Sequence, residues 1–416
     1  MIVSNKPRGT QDIFPPRSFL YYEIQQIITK ILRKNNYWPI IFPTFEYSGL
    51  FTTSLGSTTD IIHKEMYTFL DKKGRELALR PEGTASTVRL VCQNKLIREG
   101  YPLKLYYWAN MFRYERPQKG RYREFWQLGV ELVNAQGVIA DYQILKLVSD
   151  ILIGLGIKDF VFSLNYLGDK EIKEKYKKEL ERFIKKNNPD LCVNCYSRYK
   201  TNPLRILDCT SCKSENIYPS YKDVWSSKDS DHVNELNYFL DKFNLPYQYD
   251  YRLVRGLDYY TGLVFEVILN QEKALVGGGR YDKLYFEMVD KKIPALGFAF
   301  GIDRLVDYLE NKQVLKIDSQ IDIFFLTLIS NAYHDILAWK SELEKYPLIV
   351  DYNLKITKLK SLSKIIDRYQ PKVLVILGEK ELKNGKIIVK DCLKEQVFFV
   401  KRENLTKRII ELFSLI

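Results

Sequence analysis

Four cysteines are spaced Cys192-x2-Cys195-x13-Cys209-x2-Cys212. Two pairs of this kind can close a tetrahedral thiolate site of the sort that zinc prefers. Four small buried thiols would satisfy the same spacing, and both readings stand. The two other cysteines, Cys92 and Cys392, are isolated. No apolar stretch follows the basic residues of Met1-Ile-Val-Ser-Asn-Lys-Pro-Arg, so neither a signal peptide nor a disulfide framework is expected. A second concentration of chemistry runs from Tyr106 to Glu131. Strand-like residues there flank the polar turn Arg116-Pro-Gln-Lys-Gly-Arg, which predicts a long antiparallel hairpin over 103–133. Period-two alternation puts Trp126, Leu128, Val130 and Leu132 on one face and Gln127, Gly129 and Glu131 on the other. An acid and an amide flanking a glycine suit a small polar ligand; an edge hairpin with a solvated face is the plainer alternative.

These residues need a scaffold. Leu20, Ile24, Ile27, Ile28, Ile31 and Leu32 recur at helical spacing and predict a core-facing helix over 18–35. Pro39 and Pro43 bracket an extended segment, and Ile172, Tyr176, Leu180 and Ile184 form the stripe of a helix over 169–188. A second helix is expected near Val233–Phe243, and strand character resumes at Tyr249–Leu269. Residues 168–250 thus read as a partly helical insertion between two parts of one sheet. Beyond a linker at Lys312–Ser319, residues 320–416 alternate β-α-β-α-β, the pattern of a small α/β domain. There Asn384-Gly385 suits a tight hairpin turn, and a last helix is expected near Thr406–Leu415.

Composition agrees with a folded chain: 46% hydrophobic and 28% charged residues exclude disorder. The longest uncharged stretch, Ile323 to His334, is too short to cross a bilayer, so no membrane partner is expected. The formal charge of +13 suggests a polyanionic partner, although a basic surface also serves solubility alone. Residues 320–416 carry 17 basic and 12 acidic side chains, against 15 and 14 in residues 168–250. No single-sign tail exists, so any nucleic-acid surface must be assembled by folding.

The motifs resemble those of class II aminoacyl-tRNA synthetases. Phe112-Arg113-Tyr-Glu115-Arg116 with the returning strand is similar to their second signature. Ala295-Leu-Gly-Phe-Ala-Phe-Gly301-Ile-Asp-Arg304-Leu is similar to the third. Lys34–Phe51, centred on Pro43, resembles the degenerate first signature, which in that family builds the dimer interface. Leu253-Val-Arg255-Gly-Leu-Asp258-Tyr259-Tyr260-Thr-Gly-Leu-Val-Phe-Glu resembles a segment peculiar to histidyl enzymes, and Leu79-Arg-Pro-Glu82-Gly83-Thr84 their amino-acid-binding loop. Lys6-Pro-Arg-Gly-Thr-Gln-Asp, Gly277-Gly-Gly-Arg-Tyr-Asp and Gly378-Glu-Lys-Glu-Leu-Lys-Asn-Gly extend the likeness from residue 6 to about 400.

The resemblance implies an α+β catalytic domain with a mixed, mainly antiparallel sheet, from residues 1–167 and 251–312. It also implies the insertion at 168–250 and a C-terminal α/β anticodon-binding domain at 320–416. The implied activity joins histidine to ATP as histidyl-adenylate and passes it to tRNA(His). Such chemistry needs cations and positioning rather than a side-chain nucleophile. Arg113 and Arg255 would face the histidine carboxylate and α-phosphate, with Arg304 at the γ-phosphate. Glu115, Arg116 and Arg121 would hold ATP with its Mg2+, and Phe125 would stack beneath adenine. Glu82, Thr84 and Gln127 would take the ammonium group, with Gly83 and Tyr259 beside them. Glu131 would accept the imidazole N–H and the Tyr260 hydroxyl donate to the other nitrogen. The histidines, His63, His232 and His334, fall outside every signature, so no protein histidine is expected as general base. The resemblance does not require zinc. It implies a homodimer, in a bacterial cytoplasm or in a plastid that encodes the chain itself. A regulatory paralogue that binds histidine but no tRNA is the competing class; such chains usually lack the terminal domain.

Overall fold

A computed structural model describes residues 5–414 apart from 57–58, 60, 99, 119, 188–190, 208, 210–211, 213–217, 270–273, 313–320, 357, 359 and 361. The chain divides into two compact units, Met1–Leu315 and Lys316–Ile416. The linker expected at Lys312–Ser319 lies, after Lys312, outside the described residues.

The first unit contains β1 (Trp38–Pro39), β2 (Phe45–Tyr47), β3 (Thr68–Leu70), β4 (Glu76–Leu79), β5 (Leu103–Phe112) and β6 (Glu124–Val133). There follow β7 (Val161–Tyr166), β8 (Tyr247–Tyr249), β9 (Thr261–Ile268), β10 (Val276–Arg280) and β11 (Ala295–Gly301). Eight of these make one sheet in the order β1-β5-β6-β11-β10-β9-β7-β8, while β2-β4-β3 form a small second sheet. Only the two ends of the large sheet pair in parallel, β1 with β5 and β7 with β8. The fold class is therefore the mixed, mainly antiparallel one.

The expected hairpin is present, β5 and β6 pairing from Leu103↔Val133 to Phe112↔Glu124. Helix Arg17–Lys34 buries Leu20, Tyr21, Ile24, Ile28 and Leu32. It is tied to the sheet through Asp303, which accepts from the Tyr21 hydroxyl at 2.7 Å, the Trp126 amide at 2.7 Å and the Gln11 side chain. Helix Lys170–Asn187 buries the four residues of its stripe, and their cluster is continuous with the core beneath β9 and β11. The next long helix, Ser227–Lys242, starts six residues before the expected Val233. Ser226 and Asp229 form a reciprocal capping box, which sets the start more strongly than the apolar spacing does. The strand expected at Tyr249–Leu269 is broken: residues 250–260 leave the sheet as a loop before β9 begins at Thr261.

In the second unit β12 (Ile323–Thr327), β13 (Val350–Tyr352), β14 (Val373–Leu377), β15 (Lys386–Asp391) and β16 (Gln396–Lys401) form a sheet ordered β13-β12-β14-β15-β16. The first three are parallel and the last two antiparallel. Helices Tyr333–Leu343, Leu362–Tyr369 and Leu405–Leu412 complete it. Asn384-Gly385 is not the hairpin turn. It ends the short helix Glu379–Lys383, with Gly385 at φ +60°. The hairpin turns instead after Asp391, whose carboxylate accepts from the amides of Leu393 and Lys394, each at 3.0 Å. An Asx-type turn here does the work that an Asn-Gly pair does elsewhere.

Candidate functional site

The site is built on one face of the large sheet, and small residues make the room. Strand register places Gly129 of β6 beside Ala299 of β11, Ala299 beside Gly277 of β10, and Gly277 beside Glu266 of β9. A Cβ at 277 would run into the Arg255 guanidinium, and one at 297 into the Glu131 carboxylate. These strands thus bring charged groups against bare backbone.

Room beside Gly129 was expected to serve a ligand. The structure fills it with the ring of Tyr107, which pairs with Gly129 across the hairpin and also packs on Gly83. Tyr107 is buried, and its hydroxyl lies 3.4 Å from Gln127 Oε1. The signal for it was the hairpin register itself, an aromatic opposite a glycine.

Glu131 is buried, accepting from the Tyr281 hydroxyl at 2.6 Å and the Thr84 hydroxyl at 3.0 Å. Burial pushes its pKa up to about 8, against the opposing pull of those two donors. Glu82 is also buried and accepts the amides of Thr84 at 2.7 Å and Ala85 at 2.8 Å, capping helix Thr84–Gln93. Burial raises its pKa as well. Tyr259 and Tyr260 are buried with ring centroids 4.8 Å apart, and burial raises both hydroxyls. Residues 82–84, Gln127, Glu131, Tyr259 and Tyr260 thus gather around Tyr107 and Tyr281, neither of which the sequence reading singled out.

The arginines face an adjoining cavity of about 620 Å³. Arg113, Glu115, Arg121, Phe125, Arg255 and Arg304 all line it, as does Gln127. Arg116 is exposed and does not line it. Arg113 donates to the Pro81 carbonyl at 2.9 Å and lies over the Phe125 ring at 5.4 Å. Arg255 pairs with Glu266, a residue the sequence reading gave no role, and its buried Nε–H has no partner among the described residues. Burial works against the Arg255 charge, and Glu266 together with Tyr260 and Tyr259 more than offsets it, holding the pKa above the ordinary value. Arg304 donates to Gly120 O at 2.9 Å; burial, and then Arg121 nearby, lower its pKa. Crowded cations of this kind favour an anionic ligand.

A model of the histidyl-tRNA synthetase family matches residues 9–305. The chain belongs to the histidyl-tRNA synthetase family. A histidine–tRNA ligase of Mycoplasma capricolum is 40% identical over 401 residues, spanning 94% of this chain and 96% of that one. One from Natranaerobius thermophilus is 37% identical, spanning 99% and 100%. The crystal structure of apo histidyl-tRNA synthetase from S. aureus superposes with a TM-score of 0.80 at 30% identity, covering 98% of this chain and all of the other.

Away from that face, the four cysteine sulfurs lie within 4.8 Å of one another, with Cys192 and Cys209 3.7 Å apart. Tetrahedral zinc at roughly 2.3 Å from each sulfur sets neighbouring sulfurs roughly 3.8 Å apart, so the donor set fits that ion. All four thiols are free of disulfides. Of the histidines, His63 is exposed and His232 lies 2.7 Å from Asp141, outside the cavity. Among the described residues no helix is long and apolar enough to cross a membrane.

Proposed function

We propose that this chain activates L-histidine with ATP to histidyl-adenylate and transfers the histidyl group to tRNA(His). The observation that carries the reading is the convergence of Arg113, Arg255 and Arg304 on one cavity that adjoins buried Glu82, Glu131 and Tyr260 and half-buried Thr84. The histidine carboxylate attacks the α-phosphorus and pyrophosphate leaves. Arg113 and Arg255 offset the charge where the two anions meet, and Arg304 holds the departing phosphates. Glu115 and Glu266 line the cavity and would hold the Mg2+ that enters with ATP, an ion that would offset phosphate charge. Glu131 accepts the imidazole N–H when ionised, and Tyr260 donates to the other nitrogen. Glu82, Thr84 and Gln127 receive the ammonium group. A wrong amino acid leaves these buried groups unpaired, which is how the pocket rejects it.

The regulatory-paralogue reading is disfavoured by the near full-length match to histidine–tRNA ligases and by the presence of a second compact unit. That unit, with its basic excess, is assigned to the anticodon. A homodimer is supported by apolar side chains left bare on β1 and the small sheet: Trp38, Phe45, Phe69 and Leu70, with Ile41 at 94% exposure. Sedimentation as a stable, active monomer would contradict it. The cysteine cage is assigned a structural zinc that pins the insertion. Metal analysis should find about one zinc per chain, and freely reactive thiols without zinc would remove the assignment. A cytoplasmic location accords with the bacterial relatives.

The test of the main reading is ATP–pyrophosphate exchange with all twenty amino acids, followed by tRNA charging. Histidine alone should support exchange. Exchange with another amino acid, or none with histidine, would defeat it.

A further inference from the structure

A second cavity, of about 300 Å³, meets the first at Val254 and Arg255, which line both. Six cations line it: Lys170, Lys173, Lys177, Arg205, Arg255 and Lys283. Only two acids do, Glu174 and Asp258. Much of this charge is already committed. Arg255 pairs with Glu266, Lys283 with Glu287 at 2.6 Å, and Asp258 accepts from Asn202 at 3.3 Å.

The three helix lysines are different. Lys170, Lys173 and Lys177 follow i, i+3, i+7 spacing on helix Lys170–Asn187, so they share one face. Among the described residues none of them forms an ion pair; Lys173 donates to the Tyr260 carbonyl and feels the charges of Asp258 and Glu287 without pairing with either. Like charges at i, i+4, as at 173 and 177, repel. Burial, and then Lys283, press the Lys173 pKa down to about 8. A solvated lysine face needs no partner, but this one closes over a cavity and buries one of its charges. Such an arrangement is repaid by an anion.

We propose that Lys170, Lys173 and Lys177, with Arg205, form a second phosphate-binding site beside Arg255. The phosphate is either a phosphodiester of the tRNA acceptor strand or the pyrophosphate released from ATP. Both sources rest on the ligase reading, since both belong to that reaction. Lys170 is exposed and Lys177 half-buried, so both can be neutralised without emptying a core.

The test uses the full chain carrying Lys170→Gln and Lys177→Gln together, with the double arginine variant as a charge-preserving control. Melting temperatures should match the wild type. If the site takes RNA, the Kd for tRNA(His) should rise about tenfold near 0.1 M salt, and the salt slope should fall by roughly 0.7 for each lysine engaged. Histidine-dependent exchange would then stay within about twofold. If the site takes pyrophosphate, the KM for pyrophosphate in exchange should rise about tenfold while the tRNA Kd holds; a lost charged hydrogen bond is worth about this much. The arginine control should retain wild-type binding in either case. A folded glutamine variant in which neither quantity moves overturns the proposal. RNA binding through these lysines by a wild-type chain that charges no tRNA would overturn the ligase reading and leave the site standing.

Discussion

The main sheets of the two units put opposite kinds of residue at their centres. In the second unit β12 and β14 are buried along their whole length, as Ile323-Phe-Phe-Leu-Thr and Val373-Leu-Val-Ile-Leu. That is the pattern of strands covered on both faces, where the only demand is apolar packing. In the first unit, β6, β10 and β11 carry Gly129, Gly277 and Gly297 at their centres and hold Glu131 at 2% exposure. Glycines in strand interiors and a buried acid both cost stability. The molecule accepts that cost at the face to which the chemistry is assigned. The central strands of the second unit carry apolar packing alone.

The sharpest way to break this comparison is to remove a charge from the chemical face. Arg255→Ala should lower histidine-dependent exchange by about 10²- to 10³-fold, the usual effect of losing a group aimed at transition-state charge. The melting temperature should change little by comparison, and normal exchange by this variant would remove Arg255 from the reaction.

Glu131→Ala and Tyr260→Phe come next. Each leaves an imidazole nitrogen without its partner, which costs about 1–3 kcal/mol. The Kd for histidine should therefore rise roughly 10- to 100-fold, with the Kd for ATP nearly constant; equal losses for both ligands would make these residues structural. Glu131 also predicts a pH signature. Its folded pKa of about 8 stands above the ordinary 4.5. The folded chain therefore holds a proton that the unfolded chain has released between those values. This contribution to stability is full below about pH 4.5 and is lost as pH rises through 8. Histidine affinity should move the other way, rising as Glu131 ionises. Urea titrations from pH 5 to 9 should show a downward slope in stability that Glu131→Gln reduces.

The smallest expected effect on activation sharpens the comparison from the other side. Phe325 is fully buried in the second unit, and Phe325→Ala should destabilise that unit by about 3–5 kcal/mol. Exchange should stay within about twofold, because its groups all lie in the first unit, while charging of tRNA(His) falls. A parallel loss of exchange would show that activation depends on the second unit after all.

Short-range order was legible from the chain alone. The β5–β6 hairpin, helix Arg17–Lys34 and the buried stripe of Lys170–Asn187 follow from periods of 2 and 3.6 that neighbouring residues carry by themselves. The polar face of β6 and the four-cysteine spacing were readable in the same way. Local capping, when weighed less than apolar spacing, misplaced the start of Ser227–Lys242, and an Asn-Gly pair suggested a hairpin where a helix ends.

What only the tertiary structure decided is which distant residues meet. Tyr107 fills the space beside Gly129, Tyr281 reaches Glu131 from 150 positions away, and Glu266 comes up against Arg255. The resemblance assigned Arg116 to ATP, and the fold leaves its side chain exposed and outside the cavity lining. Periodicity says which way a side chain points from its own element. Partners across strands depend on register and sheet order, and those are set by the packing of the whole unit.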